Sequence, residues 1–326
     1  MATGAPSSPD ETWLVGDIGG TNARFGLVSP ASGELLHSAV LADADYAAIG
    51  DAIRAYLGQR GDLPTPHRGA IAIASAIAGD EVRMTNHPWS FSISRLRDEI
   101  GFERLNVIND FTAQALALPH LDDANKVKVG PGTPAPGRPI GVLGPGSGLG
   151  MSGLVPSGTR WIPLIGEGGH ATMAAATRRE SAVLDHMRSQ FDHVSAERCI
   201  SGPGLVNLYN ALAAVDGVPA QQYTAAQIND ATTVAKDPRC REATDMFCAM
   251  LGTMAANLAL TLGAQGGIYI AGGIAPRLGE RFAQSPFRER FEAKGRLSTY
   301  LEEVPTYVVT HPLAAFLGCT ASLRDD

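Results

Sequence analysis

The sequence predicts an α/β protein of two domains. Two observations carry this. The chain has 326 residues, and at roughly 150 residues per domain that length suggests two. A unit of strand, glycine-rich turn and strand also occurs twice, near the start and near the middle, with strands and helices following each time. The chain is 44% hydrophobic and 18% charged, so it can bury sizeable cores.

The elements follow in order. Trp13–Asp17 and Ala23–Ser29 are β-rich runs around Ile18-Gly-Gly-Thr-Asn22, which is a hairpin pattern. Tyr46–Leu57 has helical periodicity, with Ile49, Ile53, Tyr56 and Leu57 on one side. Gly69–Ala78 reads as a buried strand, Ile93–Glu99 as a helix and Leu105–Asn109 as a strand. Phe111–Leu118 then reads as a helix ending at Pro119. Leu121–Arg138, rich in Pro, Gly and charge, reads as a connection or boundary. Pro139–Leu143 and Met151–Val155 are strands around Gly144–Gly150, the second glycine turn. Thr177–Asp192, Gly204–Val215 and Ala243–Gly263 read as helices, and Ile268–Ala271 as a strand running into Gly272-Gly273. Tyr307–Thr310 and Pro312–Ser322 read as a strand and a helix that can pack back on the first domain.

Composition narrows the classes of function. Acidic residues outnumber basic ones, 33 to 26, for a net charge of -7. The longest basic run is the pair Arg178-Arg179, so nucleic acid is not an expected partner. The cysteines Cys199, Cys240, Cys248 and Cys319 form no CxxC pair and read as reduced, buried thiols of a cytoplasmic protein. No apolar run reads as reaching the length of a membrane span. Met1–Glu11, polar and rich in Pro, Ser and Ala, reads as a flexible tail without a secretory core.

The motifs with chemical potential lie at element junctions. In Gly16-Asp17-Ile18-Gly19-Gly20-Thr21-Asn22, glycines allow positive φ and close approach of backbone to a phosphate. Asp17 is the candidate ligand for Mg²⁺, a hard cation that favours carboxylate and water. A plain hairpin turn explains the same residues. Neither the Walker ending nor the dinucleotide fingerprint is present. Gly144–Gly150, with Gly146 and Ser147 at its centre, suits a second phosphate clamp or an ordinary loop. Asn109-Asp110-Phe111 sits where a strand gives way to a helix, the place where open α/β sheets bind ligands. Asp110 there can take a proton from an attacking hydroxyl, or serve only as the helix N-cap. Gly166-Glu167-Gly168-Gly169-His170 leaves Glu167 and His170 sterically open to hydroxyl ligands, and Glu197 precedes Ser201-Gly-Pro-Gly204. Gly272-Gly273 after a strand lets a flat ring lie on backbone, or makes a simple turn.

Together these segments resemble the bacterial-type glucokinase family, within the superfamily of actin, the sugar kinases and the heat-shock chaperone ATPases. The resemblance rests on Leu14–Arg24, Asn109-Asp-Phe111, Gly144–Gly150, Gly166–His170, Val194–Tyr209 and Tyr269–Pro276, in the family's order and over nearly the whole chain. It implies two actin-like (ribonuclease H-like) α/β domains flanking a deep cleft, with 1–120 plus 311–326 as the small domain and 121–310 as the large one. It implies ATP-dependent phosphorylation of glucose at the 6-hydroxyl, with Asp110 as catalytic base and Asn109, Asp110, Glu167, His170 and Glu197 as glucose ligands. Gly16, Asp17, Ile18, Gly19, Gly20, Thr21, Gly146, Ser147, Gly272 and Gly273 would bind ATP, with Mg²⁺ at Asp17 through water. Ser75-Ala76-Ile77 falls at the family's substrate-side loop, a looser match. A homodimer in the cytoplasm is expected, with no membrane partner. The rival readings are a kinase for another hexose and a non-catalytic sugar or ATP sensor on the same fold. No cysteine cluster or N-terminal helix-turn-helix supports a sugar-sensing repressor.

Overall fold

The computed structural model describes residues 11–85 and 87–324. The expected N-terminal tail lies outside them except for Glu11. The chain divides into two compact units, residues 11–121 with 311–324, and residues 122–310.

The first unit is built on a five-stranded sheet. Its opening hairpin pairs β1 (Trp13–Ile18) with β2 (Asn22–Val28), and β3 (Leu35–Ala42) continues it as an antiparallel edge. On its other side β1 is parallel to β4 (Arg68–Ile73), which is parallel to β7 (Arg104–Asn109). A small separate ribbon pairs β5 (Glu81–Arg83) with β6 (Ser90–Ser92). Helix α1 (Ile49–Leu57) starts later than Tyr46, because Tyr46 and Ala48 are extended after a 3₁₀ turn at Asp43–Asp45. Helix α2 (Ile93–Ile100) is capped by the Ser92 hydroxyl and stopped by Gly101 at φ 83°. Helix α3 (Asp110–Ala117) leads from β7. A C-terminal helix, Ala314–Arg324, closes the sheet face formed by Trp13, Val15, Ala70 and Ala72 with Ala315, Phe316, Cys319 and Leu323. It crosses α3 so closely that a Cβ on Gly318 would lie 1.8 Å from the Ala113 carbonyl oxygen.

The second unit carries a six-stranded sheet in the order β11-β10-β9-β12-β13-β8. Here β8 is Lys126–Val129, β9 Ile140–Pro145, β10 Leu149–Ser157, β11 Arg160–Leu164, β12 Ile268–Ile270 and β13 Thr306–Val309. The run β11-β10-β9 is antiparallel, β9-β12-β13 is parallel, and β8 adds an antiparallel edge. The segment expected to be a connection or boundary holds the division between the two units, after Leu121, and also contributes a strand. Its Lys-Val-Lys-Val alternation gives one strongly buried residue, Val129, and pairing with β13 supplies the rest.

Between β11 and β12 run α4 (Arg178–Arg188), α5 (Gly202–Val215), the short α6 (Ala225–Ile228) and α7 (Ala231–Lys236), and the 25-residue α8 (Pro238–Leu262). Asp237 caps α8 and Gly263 ends it in a left-handed conformation. The short helices α9 (Ile274–Leu278), α10 (Glu280–Ala283), α11 (Phe287–Glu292) and α12 (Ser298–Glu302) lead back to β13. Contrary to expectation, α8 is long and apolar enough to cross a membrane, with mean hydropathy 1.4 over its best window. Of that window 67% is buried, so the core of the unit accounts for its composition. All four cysteines are buried and free.

Candidate active site

In the first unit the functional candidates collect at the carboxyl ends of three adjacent parallel strands. Ile18, Ile73 and Asn109 share one level across β1, β4 and β7. The glycine turn, the Ser75 loop and Asn109-Asp110 therefore emerge side by side, where α/β sheets bind ligands.

The helix cap is Asn109 and not Asp110. The Asn109 Oδ1 accepts the N–H groups of Phe111 at 2.8 Å and Thr112 at 3.2 Å. Asp110 is the first helical residue, half-buried, and its Oδ1 accepts the Phe111 N–H at 2.9 Å. The capping alternative for Asp110 thus passes to its neighbour. A negative charge at this position is favoured by the helix dipole. The Asn109 Nδ2 donates to the Ser75 carbonyl at 3.2 Å, and the buried Ser75 hydroxyl accepts the Thr85 N–H at 2.7 Å. The Ser75 loop is therefore tied to the strand end that presents Asp110.

The first glycine turn differs from expectation. Gly16 belongs to strand β1, and neither Gly19 nor Gly20 takes positive φ. At Gly16 a Cβ would press on the Phe25 ring at 3.3 Å, so the ring would have to give slightly. The Gly19 N–H closes the turn on the Asn22 carbonyl at 3.0 Å, and the Thr21 carbonyl accepts the Asp43 N–H at 3.0 Å.

Sequence reading missed the cation beside Asp17. Asp17 and Arg24 face each other in the β1–β2 register, and Arg24 Nη1 lies 3.3 Å from Asp17 Oδ2. Counting outward from the hairpin turn would have paired them. Burial pushes the Asp17 carboxyl above its ordinary value, while the Arg24 charge and hydrogen bond pull it back. The Asp17 side chain still keeps 27% of its surface exposed. Behind it, the Cys319 thiol donates to the Gly16 carbonyl at 3.4 Å, and burial pushes that thiol up to about 12.

Another missed group is Asp43, which has no exposed surface. Among the described residues no hydrogen-bond partner reaches either of its side-chain oxygens. Burial raises its pKa and the His87 charge opposes the shift.

The described residues contain no cluster of three or more metal-ligating side chains. A lone, partly exposed carboxylate such as Asp17 could serve a hydrated Mg²⁺ only as a single contact, and not as part of a protein cage.

In the second unit, segments singled out separately form one hydrogen-bonded node. The Glu197 Oε2 accepts the Leu149 N–H of the second glycine turn at 2.9 Å. The Glu197 N–H donates to the Gly169 carbonyl at 2.9 Å, and the Gly202 N–H donates to the Gly146 carbonyl at 2.8 Å. The Ser201 hydroxyl caps α5 and also donates to the Glu197 carbonyl at 2.8 Å. Gly146 N–H closes its own turn on the Gly148 carbonyl at 2.8 Å, and no glycine of this turn takes positive φ either. A Cβ on Gly146 would meet nothing within 4 Å, so its outer side is open, and Ser147 beside it is exposed.

Glu167 and His170 are exposed on the same node, Glu167 just before a 3₁₀ turn and His170 its last residue. The glycines between them do more than leave them open. A Cβ on Gly169 would lie 1.9 Å from the Leu149 carbonyl oxygen, so Gly169 lets this loop press onto β10. Gly272, at φ 78°, packs where a Cβ would sit 2.5 Å from the Pro145 carbonyl oxygen. Gly272 and the adjoining Gly273 thereby border the second glycine turn, both exposed.

Known proteins resemble this chain over nearly its whole length. A family model described as Glucokinase matches residues 14–326. A glucokinase from Paramagnetospirillum magneticum is 52% identical over 313 residues, covering 96% of this chain and 97% of that protein. A bifunctional protein glk from Paraburkholderia xenovorans is 49% identical over 99% of this chain, which spans 50% of that relative. The crystal structure of a glucokinase from an Antarctic psychrotroph has a TM-score of 0.88 at 38% identity, covering 97% of this chain and 99% of that one. The strand-end clusters and the node around Glu197 thus belong to a chain that is a member of the glucokinase family.

Proposed function

We propose residue roles for the reaction that family membership gives this chain, the ATP-dependent phosphorylation of glucose. Asp110 is the base. As the 6-hydroxyl oxygen attacks the γ-phosphorus, its proton passes to the Asp110 carboxylate. The bond from the γ-phosphorus to the bridging oxygen breaks, and glucose 6-phosphate and ADP result. The observation that carries this role is the place of Asp110, just past the carboxyl end of β7 and beside the Asn109 tie to the Ser75 loop. Asn109, Glu167, His170 and Glu197 hold the sugar with Asp110. Each buried hydroxyl of the sugar needs a partner, so a hexose lacking one leaves a polar group unpaired and is selected against.

ATP lies on the segment Gly16–Thr21, on Gly146 and Ser147, and on Gly272 and Gly273. Arg24 adds a cation beside Asp17. Mg²⁺, when bound with ATP, neutralises phosphate charge, and Asp17 would hold it through water. The reading requires residues of both units to act on one sugar and one nucleotide, as in two actin-like domains that flank a cleft. Residues 1–120 with 311–326 act as the small domain and 121–310 as the large one. Buried free thiols support a reducing, cytoplasmic setting. The enzyme works as a homodimer, which light scattering tests.

An ADP-release assay over a panel of hexoses and phosphoryl donors tests the assignment. Release with ATP should depend on glucose and be strongest with it. Equal ADP release without any sugar overturns the reading.

A further inference from the structure

The node around Glu197 joins two functions that the sequence keeps 47 to 49 residues apart, the phosphate turn and a sugar carboxylate. The Glu197 backbone is fixed on both sides, by Gly169 through its N–H and by Ser201 through its carbonyl. Its side chain then reaches across to the second glycine turn, where Oε2 accepts the Leu149 N–H at 2.9 Å. This reach passes over Gly148. A Cβ there would sit 2.5 Å from Oε2 and 3.3 Å from Cδ, a separation that only glycine permits. Gly148 has no positive φ to explain it, so its lack of a side chain is accounted for by the carboxylate.

We propose that Gly148 and the Leu149 N–H are positioning groups for the sugar, locking the Glu197 carboxylate to the phosphate turn so that both move as one body. The proposal rests on the reading of Glu197 as a glucose ligand. With Oε2 held by the turn, Oε1 is the oxygen presented to a sugar hydroxyl. Two consequences follow. A change confined to the phosphate turn at Gly148 alters sugar affinity. Glucose and nucleotide also strengthen each other's binding, because a ligand that fixes either group fixes the other, and such coupling is reciprocal.

Gly148→Ala is the direct test. The atom it meets is the far end of a flexible side chain, so the carboxylate moves and the fold stays. The KM for glucose should rise about tenfold, the size expected from losing one charge-assisted hydrogen bond. The KM for ATP should change less, with Tm close to wild type. In a Glu197→Ala background, Gly148→Ala should leave the glucose KM where Glu197→Ala puts it, the non-additivity expected of one shared interaction. If Gly148→Ala leaves the glucose KM unchanged while Glu197→Ala raises it, the positioning role is overturned and the sugar-ligand reading stands. If Glu197→Ala itself leaves the glucose KM unchanged, the sugar-ligand reading falls and takes this proposal with it.

Glu197→Asp provides a second measurement that does not depend on how Gly148→Ala folds. A side chain one methylene shorter cannot serve the turn and the sugar together. Calorimetric titration with the non-hydrolysable ATP analogue AMPPNP, with and without glucose, should show a severalfold mutual enhancement in the wild type. Glu197→Asp should lose it. Equal enhancement in both proteins, or none in the wild type, overturns the proposal.

Discussion

The two sheets are built alike and used differently. Each has three antiparallel strands from a glycine-turn hairpin and its continuation, followed by two parallel strands, and the second adds β8 at its edge. In the first, charge sits on the sheet itself: Asp17 and Arg24 on the hairpin, Asp110 just after β7. In the second, the hairpin turn has no charged residue, and its carboxylate comes from Glu197, in the long segment between β11 and β12. The corresponding crossover in the first unit, from β3 to β4, holds only a 3₁₀ turn and α1. Under the proposed roles, one scaffold places reacting groups at strand ends, while the other takes its sugar carboxylate from the long segment between β11 and β12. A duplicated sheet fixes where a site can be, and unequal connections decide what each copy contributes.

The largest effect that can break this division is at Asp110. Asp110→Asn should lower kcat by about a thousandfold, within the range for loss of a general base. Glucose binding, measured by calorimetry, should persist because the second unit retains its carboxylates. Wild-type kcat in that variant removes the catalytic role from the first sheet. Gly318→Ala comes next. Its Cβ meets backbone at 1.8 Å, so the C-terminal helix must shift from α3, at a cost of about 3 kcal/mol. A lowered Tm with falling kcat is expected, and an unchanged Tm would show that the helix does not seat α3.

Arg24→Gln sharpens the contrast between the charged and uncharged turns. Arg24 lowers the Asp17 pKa, so its loss lets burial push that carboxyl higher. The acidic limb of the kcat/KM profile for ATP should move to higher pH, with kcat/KM near neutral pH down about tenfold, the loss of one charge interaction. An unmoved limb would separate Asp17 from nucleotide binding. The smallest effect is at Asp43. Its folded pKa is raised above the ordinary 3.8, so the folded state holds the proton more tightly than the unfolded chain. Stability therefore falls as pH rises from 3.8 through the folded value. Asp43→Asn removes that loss and should raise stability by about 1 kcal/mol near neutral pH, with the difference vanishing in acid. A Tm lowered at neutral pH would mean that ionised Asp43 has a stabilising partner.

The contrast also explains what the sequence could disclose. The central strands were legible because burial on the sheet gives them continuous apolar runs, as in Trp13–Ile18 and Ile140–Pro145. The edge strands β3 and β11 were not, since their residues are mostly exposed and neighbouring backbone holds them in place. The candidate residues were legible from their junction positions. Their pairings were not. The cap at Asn109 and the bond between Glu197 and Leu149 depend on tertiary approach, as does the isolation of Asp43. The pair Asp17 and Arg24 is the exception, since hairpin register alone predicts it.

The C-terminal helix has a consequence for biosynthesis. Cys319 lies 303 residues downstream of the glycine whose carbonyl it meets. As the chain leaves the ribosome, β1 and β4 can pair early, but the face bearing Val15, Ala70 and Ala72 is covered only in part, by Ala113, until Ala315, Phe316, Cys319 and Leu323 arrive. The second unit, contiguous in sequence, can finish first. The half that carries Asp110 is thus completed after its partner, and translation arrested just short of the helix would leave a sticky, inactive nascent protein for chaperones to shield.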